Sequence, residues 1–282
     1  MSGRTVLVIA LACVVSTGCF SRRGGEVGPF PAQVVPGTIV FASSRDEGHG
    51  EIYSMKDDGT SVQRLTFNAV TDGTPVLSPD GTKILFRREL NPTNVFVMNV
   101  DGTSEVGLSP GKRAEWSPDG KKIAVLADSI AIMNSDATGR VWLHVGASLV
   151  SWSPDGTKLA YVSNGLNGQV IDEIYTVSTN GGGAVRITHD GVAKNSLQWS
   201  PDGTKFVYSA AGTVYVINAD GTGLSSPVQG RDARWSPDGT RIIFVTDAFD
   251  GNEEIYTARL DGSDPKNLSN NPANESEPDW GK

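Results

Sequence analysis

Three short stretches set ionisable residues two positions apart just before a tryptophan: RAEW at 113–116, DARW at 232–235 and EPDW at 277–280. Residues two apart in a strand share a face. Arg113 with Glu115, Asp232 with Arg234, and Glu277 with Asp279 therefore read as pairs on one surface. The matching stretches TPVL (74–77), LVSW (149–152) and SLQW (196–199) hold neutral residues at those positions, Gln198 among them. Four carboxylates, Glu115, Asp232, Glu277 and Asp279, could converge on a cation. Arg113 and Arg234 oppose that, since they repel a cation or neutralise its ligands. The alternative is a band of charges that pair with one another and with water.

A second acidic group is DAFDGNEE at 247–254, which offers Asp247, Asp250, Asn252 and Glu253, with a looser companion in Asp46, Glu47 and Glu51. Oxygen-rich loops suit Ca2+, the one cofactor these residues raise. The spacing is not that of an EF-hand, and a solvated hairpin turn is the favoured reading of the run. The histidines, His49, His144 and His189, lie far apart with no HxH or HxxxH spacing, which gives a His-held metal little support. There is no GxSxG elbow to present a nucleophile. The expectation is a protein that is not an enzyme and has no fixed cofactor.

These residues are positioned by a repeat. WSPDG occurs at 116–120, 152–156, 199–203 and 235–239, and LSPDG at 77–81. The SPDG serines stand at 78, 117, 153, 200 and 236, so the gaps are 39, 36, 47 and 36 residues. Each SPDG precedes an apolar run (KILFRR, KIAVLA, KLAYVS, KFVYSA, RIIFVT), then a run ending in a turn such as NVDGT or NADGT, then a third marked by RIT or NLS. Alternating Val, Ile, Tyr and Phe bounded by turn residues read as strands, four per unit. A four-stranded unit of about 40–45 residues repeated around a ring is a β-propeller.

In SPDG, Pro has the φ of a type I turn and Gly supplies the positive φ that closes the hairpin. Ser can bond back to the turn backbone. The tryptophan is a large apolar plate that fills the wedge between neighbouring units. These are parts of an architecture, repeated where one catalytic copy would suffice. The fold class is all-β: six blades at 37–66 with 278–282, 74–108, 113–145, 148–188, 195–229 and 232–268. The C-terminal Pro278–Lys282 segment is expected to pair with Thr38–Ser43, closing the ring and leaving no open edge. A seventh blade would need about 40 more residues. The innermost strands run into each tryptophan, which puts Arg113, Glu115, Gln198, Asp232, Arg234, Glu277 and Asp279 at the central channel.

The combination WSPDGxKIAF…EIYxMNxDGT…RLT resembles the TolB-type, WD-repeat-like propeller found in exported bacterial proteins, over roughly 37–282. Residues 43–66 and 246–269 match it best; Trp142, in the shortened third blade, has no counterpart. In that family the six-bladed propeller docks an outer-membrane lipoprotein of the cell envelope and follows an N-terminal α/β domain. The span from Cys19 to Gly37 has no room for such a domain, so the resemblance implies the fold and a use as a binding platform. It implies an envelope protein or peptide as partner, held at the channel mouth or face loops. The alternative is a Ca2+-assisted hydrolase or lactonase, or a small-ligand or carbohydrate binder, using the channel carboxylates.

The first residues suit export. Arg4 precedes an apolar run, Val6–Val15, that is too short to span a bilayer and right for a signal-peptide core. Ser16, Thr17 and Gly18 lead to Cys19. This is similar to a bacterial lipoprotein signal, with Ser16 where that pattern has Leu. It implies a signal peptide at 1–18, a lipid anchor at Cys19 and a membrane-anchored protein facing periplasm or cell surface. Phe20, in place of Asp, favours the outer membrane. Residues 19–36, rich in Gly and Pro, read as a tether. Cys13 falls within the signal, so Cys19 has no intramolecular disulfide partner. With 24 basic and 32 acidic residues the net charge is −8. No basic stripe is present, which argues against nucleic acid.

Overall fold

The computed structural model describes residues 37–46, 48–163, 172–249 and 251–281. They form six antiparallel sheets of four strands; five run outward in chain order from an inner strand, and in blade 1 the inner strand is the last in chain order. The inner strands are Asp72–Leu77 of blade 2, Arg113–Trp116 of blade 3, Leu149–Trp152 of blade 4, Lys194–Trp199 of blade 5 and Arg231–Trp235 of blade 6. Each touches the next, and the ring is completed by the C-terminal strand of blade 1. That strand is Glu275–Trp280, paired with Thr38–Ser43 through Ile39↔Trp280, Val40↔Asp279 and Ser43↔Glu275. It begins three residues before the expected Pro278 and stops at Trp280. Pro278 does not bar the pairing, because the ladder shifts register between Val40 and Ala42 opposite it and a proline sits well at a bulge.

The core is a ring of six apolar clusters, one in each inter-blade wedge. The repeated tryptophan enters each wedge, as in Trp152 with Leu126 and Leu159 between blades 3 and 4. In blade 2 Leu77 takes its place. The indole N–H also ties blades together: Trp116 Nε1 donates to Val76 O at 3.3 Å and Trp152 Nε1 to Glu115 O at 3.2 Å.

The SPDG turns behave as their residues dictate. Gly156 N donates to Ser153 O and Ser153 N to Lys158 O, closing a four-residue hairpin loop. Ser153 Oγ donates to Asp155 Oδ1 at 2.6 Å and accepts from Lys158 N at 2.9 Å. These bonds from Ser153 and Thr157 hold the Asp155 carboxyl below its usual range. The DG turn of the next hairpin has a tighter role. In blade 5, Gly221 has φ +86°, and a Cβ there would lie 2.7 Å from Ile187 O of blade 4; at Gly203 of the SPDG turn (φ +73°) the nearest atom would be Pro154 Cδ at 3.7 Å. Gly203→Ala should cost about 1–2 kcal/mol, the penalty of a left-handed alanine. Gly221→Ala should cost about 1–3 kcal/mol more, because a neighbouring backbone must also move. Equal urea midpoints for the two variants would refute the packing role of Gly221.

The RIT and NLS marks are explained by a peg. Glu51, Glu173 and Glu254 are buried at the head of a third strand. Each accepts a hydroxyl hydrogen bond, from Thr66, Thr188 and Ser269 respectively. The loop returning to the next blade also bonds to it, as in Gly191 N to Glu173 Oε1 at 2.8 Å. Despite burial, the Thr188, Gly191 and Arg186 bonds hold Glu173 below the usual carboxylate range.

Candidate functional site

An inner strand has no backbone ladder on the side that faces the axis, so its polar groups there need other partners. Side chains from the preceding blade supply them. Asp279 Oδ2 accepts from Leu77 N at 2.9 Å, Ser151 Oγ from Trp199 N at 3.0 Å, and Gln198 Oε1 from Trp235 N at 2.6 Å. One pleat deeper, Glu277 Oε2 accepts from Thr74 N at 2.6 Å, Asp232 Oδ2 from Glu277 N at 3.4 Å, and Ser196 Oγ from Ala233 N at 3.1 Å.

The deeper layer is aimed by bulges. The inner-strand ladders of blades 2 and 6 shift register between Gly73 and Val76 and between Arg231 and Arg234. Thr74, Asp232 and Glu277 all have left-handed φ, at 49°, 52° and 52°. Bulges re-aim side chains in this way, and such backbone conformations persist where surroundings hold them. Here each left-handed residue is held by the hydrogen bonds just named.

The predicted charged band exists, and its members meet across the axis. Arg234 Nη2 of blade 6 lies 3.2 Å from Glu115 Oε1 of the opposite blade 3, and its Nε 4.0 Å from Asp279 Oδ1. Its Nη1 donates to Leu197 O at 3.1 Å. Arg113 Nη2 lies 3.8 Å from Glu277 Oε1, and Asp232 pairs with Arg231. Burial opposes charge at Glu115, Asp232, Arg113 and Arg234. Desolvation, with Asp279 adding to it, pushes Glu115 up to about 7 against the pull of Arg234. Burial also raises Asp232 and lowers Arg113. Arg234 is penalised by burial too, but Glu115, Asp279 and Asp232 together keep it firmly protonated.

The axis is consequently closed. Two voids among these side chains, one beside Arg113, Glu115 and Arg234 and one beside Asp232 and Glu277, measure about 10 Å³ each, room for about one water molecule. Above them the channel opens at the face of the SPDG turns. This funnel measures about 130 Å³ and is walled by Trp116, Trp152, Trp199 and Trp280, with a proline from each of four turns. Its floor holds Glu115, Ser151, Gln198 and Asp279. Trp199 differs from Trp116 and Trp152: its Nε1 donates within its own turn, to Gly203 O at 3.0 Å, and its ring is partly exposed.

The four channel carboxylates share no common point. They fall in two layers around arginines, and three of them already hold backbone N–H groups. Among the described residues no cluster of three or more His, Cys, Asp or Glu suits a metal ion. In the acidic loop, Glu253 pairs with Arg231 at 2.7 Å, and the Asn252 amide donates to Glu254 Oε1 and to Asn271 O. Asp247 lies in the same loop; Asp250, Glu47 and the proposed anchor Cys19 lie outside the described residues. Glu51 is a buried peg, and Asp46 accepts from Tyr53 Oη. Sequence reasoning singled out the carboxylates and the channel mouth but missed the aromatic wall there, made largely by the very WSP residues read as architecture.

No family model matches the chain. The protein TolB homolog of Chlorobium luteolum is 35% identical over 97 residues, a stretch covering 32% of this chain and 21% of that protein. The crystal structure of TolB from Acinetobacter baumannii superposes with a TM-score of 0.75 at 18% identity, over 86% of this chain and 66% of that one. An oligogalacturonate lyase in complex with manganese gives 0.53 at 16% identity, over 83% of this chain and 72% of that one. The chain thus matches about a fifth of the length of the curated relative. Its repeats are TolB-like in sequence, and its fold is that of a six-bladed propeller.

Proposed function

We propose that this chain is an exported, lipid-anchored propeller that serves as a non-enzymatic protein- or peptide-binding scaffold in the bacterial cell envelope, with the funnel as its docking point. The observation that carries this is the closed axis. The channel charges are engaged with one another and with backbone N–H groups, while an aromatic, proline-rimmed recess stays open on one face. Buried aromatic anchors in recesses are what protein partners use. The TolB-like repeats support a place in the envelope, and the residues before Cys19 support export and anchoring there.

The likeness to a manganese-bound lyase keeps an enzyme reading in view. That reading, or a Ca2+-assisted hydrolase or lactonase, needs several ligands around one point. Arg113 and Arg234 occupy the space between the carboxylates instead.

Crosslinking in intact cells of the native host, followed by capture of the tagged protein, tests the scaffold. One stoichiometric envelope partner is expected, lost with Trp199→Ser on the funnel and kept with Phe67→Ser, an exposed residue in the connection between blades 1 and 2 at the other end of the strands. In the same fractions, Cys19→Ser should move the protein out of the membrane pellet. Absence of any reproducible partner would overturn the scaffold.

A further inference from the structure

The SPDG face carries a second opening, beside the funnel and independent of the scaffold reading. Between blades 3 and 4 the wedge ends in a recess of about 480 Å³, within the roughly 300–1,000 Å³ of small-molecule sites. Its apolar wall is Ile132, Trp152, Pro118 and Pro154, and its polar rim includes Asp119, Lys122, Asp155 and Thr179. The second turn of blade 4 stands off blade 3 here: a Cβ on Gly181 would meet nothing nearer than Leu143 Cδ2 at 3.8 Å. The matching turn of blade 6 presses on blade 5, where a Cβ on Gly262 would lie 2.3 Å from Pro227 O.

The same SPDG parts make a smaller recess between blades 5 and 6, of about 320 Å³, and there the rim is already engaged. Lys205 Nζ donates to Asn218 Oδ1 at 2.7 Å. Asp202 Oδ2 accepts from Thr204 Oγ1 at 2.9 Å, and Asp238 Oδ2 from Thr240 Oγ1 at 2.8 Å. Leu260 stands where blade 4 has Thr179. Between blades 3 and 4 the corresponding groups stay open. Lys122 Nζ has no hydrogen-bond or ion-pair partner among the described residues. The turn bonds of Asp155 go to its Oδ1. Asp119 also takes its turn bonds on Oδ1, and its Oδ2 lies 3.7 Å from the exposed Lys121 ammonium.

These open groups are of both signs. An ion of either charge would meet a like charge as well as a partner. A hydroxyl meets neither problem, since it donates to a carboxylate and accepts from an ammonium. A ring bearing several hydroxyls also has a C–H face for the apolar wall. We propose that the recess between blades 3 and 4 binds a neutral hexose unit, with its hydroxyls on Asp119, Asp155 and Lys122 and its C–H face against Trp152 and Ile132.

The test is ligand-observed saturation-transfer NMR on the purified protein, titrated with D-glucose, D-galactose and N-acetyl-D-glucosamine. Butylamine, acetate and alanine serve as a cation, an anion and a zwitterion without hydroxyls. Saturable binding of at least one sugar is expected, with a Kd of about 1 mM, and none of the three controls should match it. Cellobiose and diacetylchitobiose distinguish the source: a dimer that binds at least as well places the unit within a glycan, and one that is excluded marks a free sugar. Lys122→Met, at an exposed side chain the fold does not use, should weaken binding about tenfold or more, the loss of a hydrogen bond to a charged group. Thr179→Leu, which copies the residue of blade 6, should fill the rim and abolish binding while leaving the urea midpoint near that of wild type. Thr179 does not line the funnel, so a loss there assigns the sugar to this recess. No saturable binding of any sugar, equal binding of a control, or sugar binding indifferent to both variants would overturn the proposal.

Discussion

Arg234→Met should destabilise the protein by about 3–5 kcal/mol near pH 7.5, and the loss should shrink as the pH is lowered toward 5. Arg234 is the cation between Glu115 and Asp279, with its side chain 12% exposed and theirs 15% and 8%. Removing one partner of a buried ionic group leaves the other charges uncompensated, which costs about that much. The pH dependence follows from linkage. Glu115 already titrates near 7 in the folded protein and near 4.3 in an unfolded chain. Between those values the folded state binds more protons than the unfolded state, so stability falls as pH rises. In wild type the favourable contribution of protonated Glu115 is complete below about pH 4.3 and is lost as pH rises through about 7. Without Arg234, whose charge pulls Glu115 down, Glu115 titrates still higher, so the slope steepens and extends to higher pH. Adding Glu115→Gln to Arg234→Met should restore more than about 1 kcal/mol at pH 7.5, the signature of coupled neighbours. Urea unfolding of the four proteins of this cycle at pH 5, 6, 7 and 8 decides it. A variant as stable as wild type, with the same pH slope, would show that Arg234 does not neutralise the channel.

Deleting residues 275–282 should abolish cooperative unfolding and leave an aggregating chain. The segment is the inner strand of blade 1 and joins the two ends of the ring. It pairs with Thr38–Ser43, contributes Trp280 to the wedge between blades 6 and 1, and satisfies Leu77 N and Thr74 N of blade 2 through Asp279 and Glu277. Glu275, fully buried, binds Arg45 at 2.6 Å. Without it the Thr38–Ser43 strand becomes an apolar open edge, which invites pairing with other chains. A synthetic peptide of residues 275–282 added in trans should bind the truncated protein and recover its near-ultraviolet circular dichroism. A truncated protein with the wild-type unfolding midpoint would refute the role of the strand in closure.

Much of the scaffold was legible because its signals are local. Ser, Pro, Asp and Gly in order dictate one hairpin, and five copies spaced 36–47 residues apart dictate a ring. The glutamate pegs carried an equally plain signal that went unread: Glu51, Glu173 and Glu254 each lie 15 residues before their Thr or Ser partner. The closing strand was placed three residues late. Pro278 reads as a strand breaker, and nothing local shows that a bulge would absorb it.

The sequence by itself determined that the chain is a six-bladed propeller, which residues form its turns and wedges, and which charged residues approach its axis. Those properties depend on the period of the repeat and on two-residue alternation, both written along the chain. Only the tertiary structure decided what the charges do. Arg234 and Glu115 stand on opposite blades, and their 3.2 Å contact depends on the width of the ring. Left-handed bulges at Thr74, Asp232 and Glu277 set the aim of the deeper layer. The pairings close the axis below and leave an aromatic funnel above. Contact across a closed ring is fixed by its curvature, a sum over all six wedges that no single stretch of sequence contains.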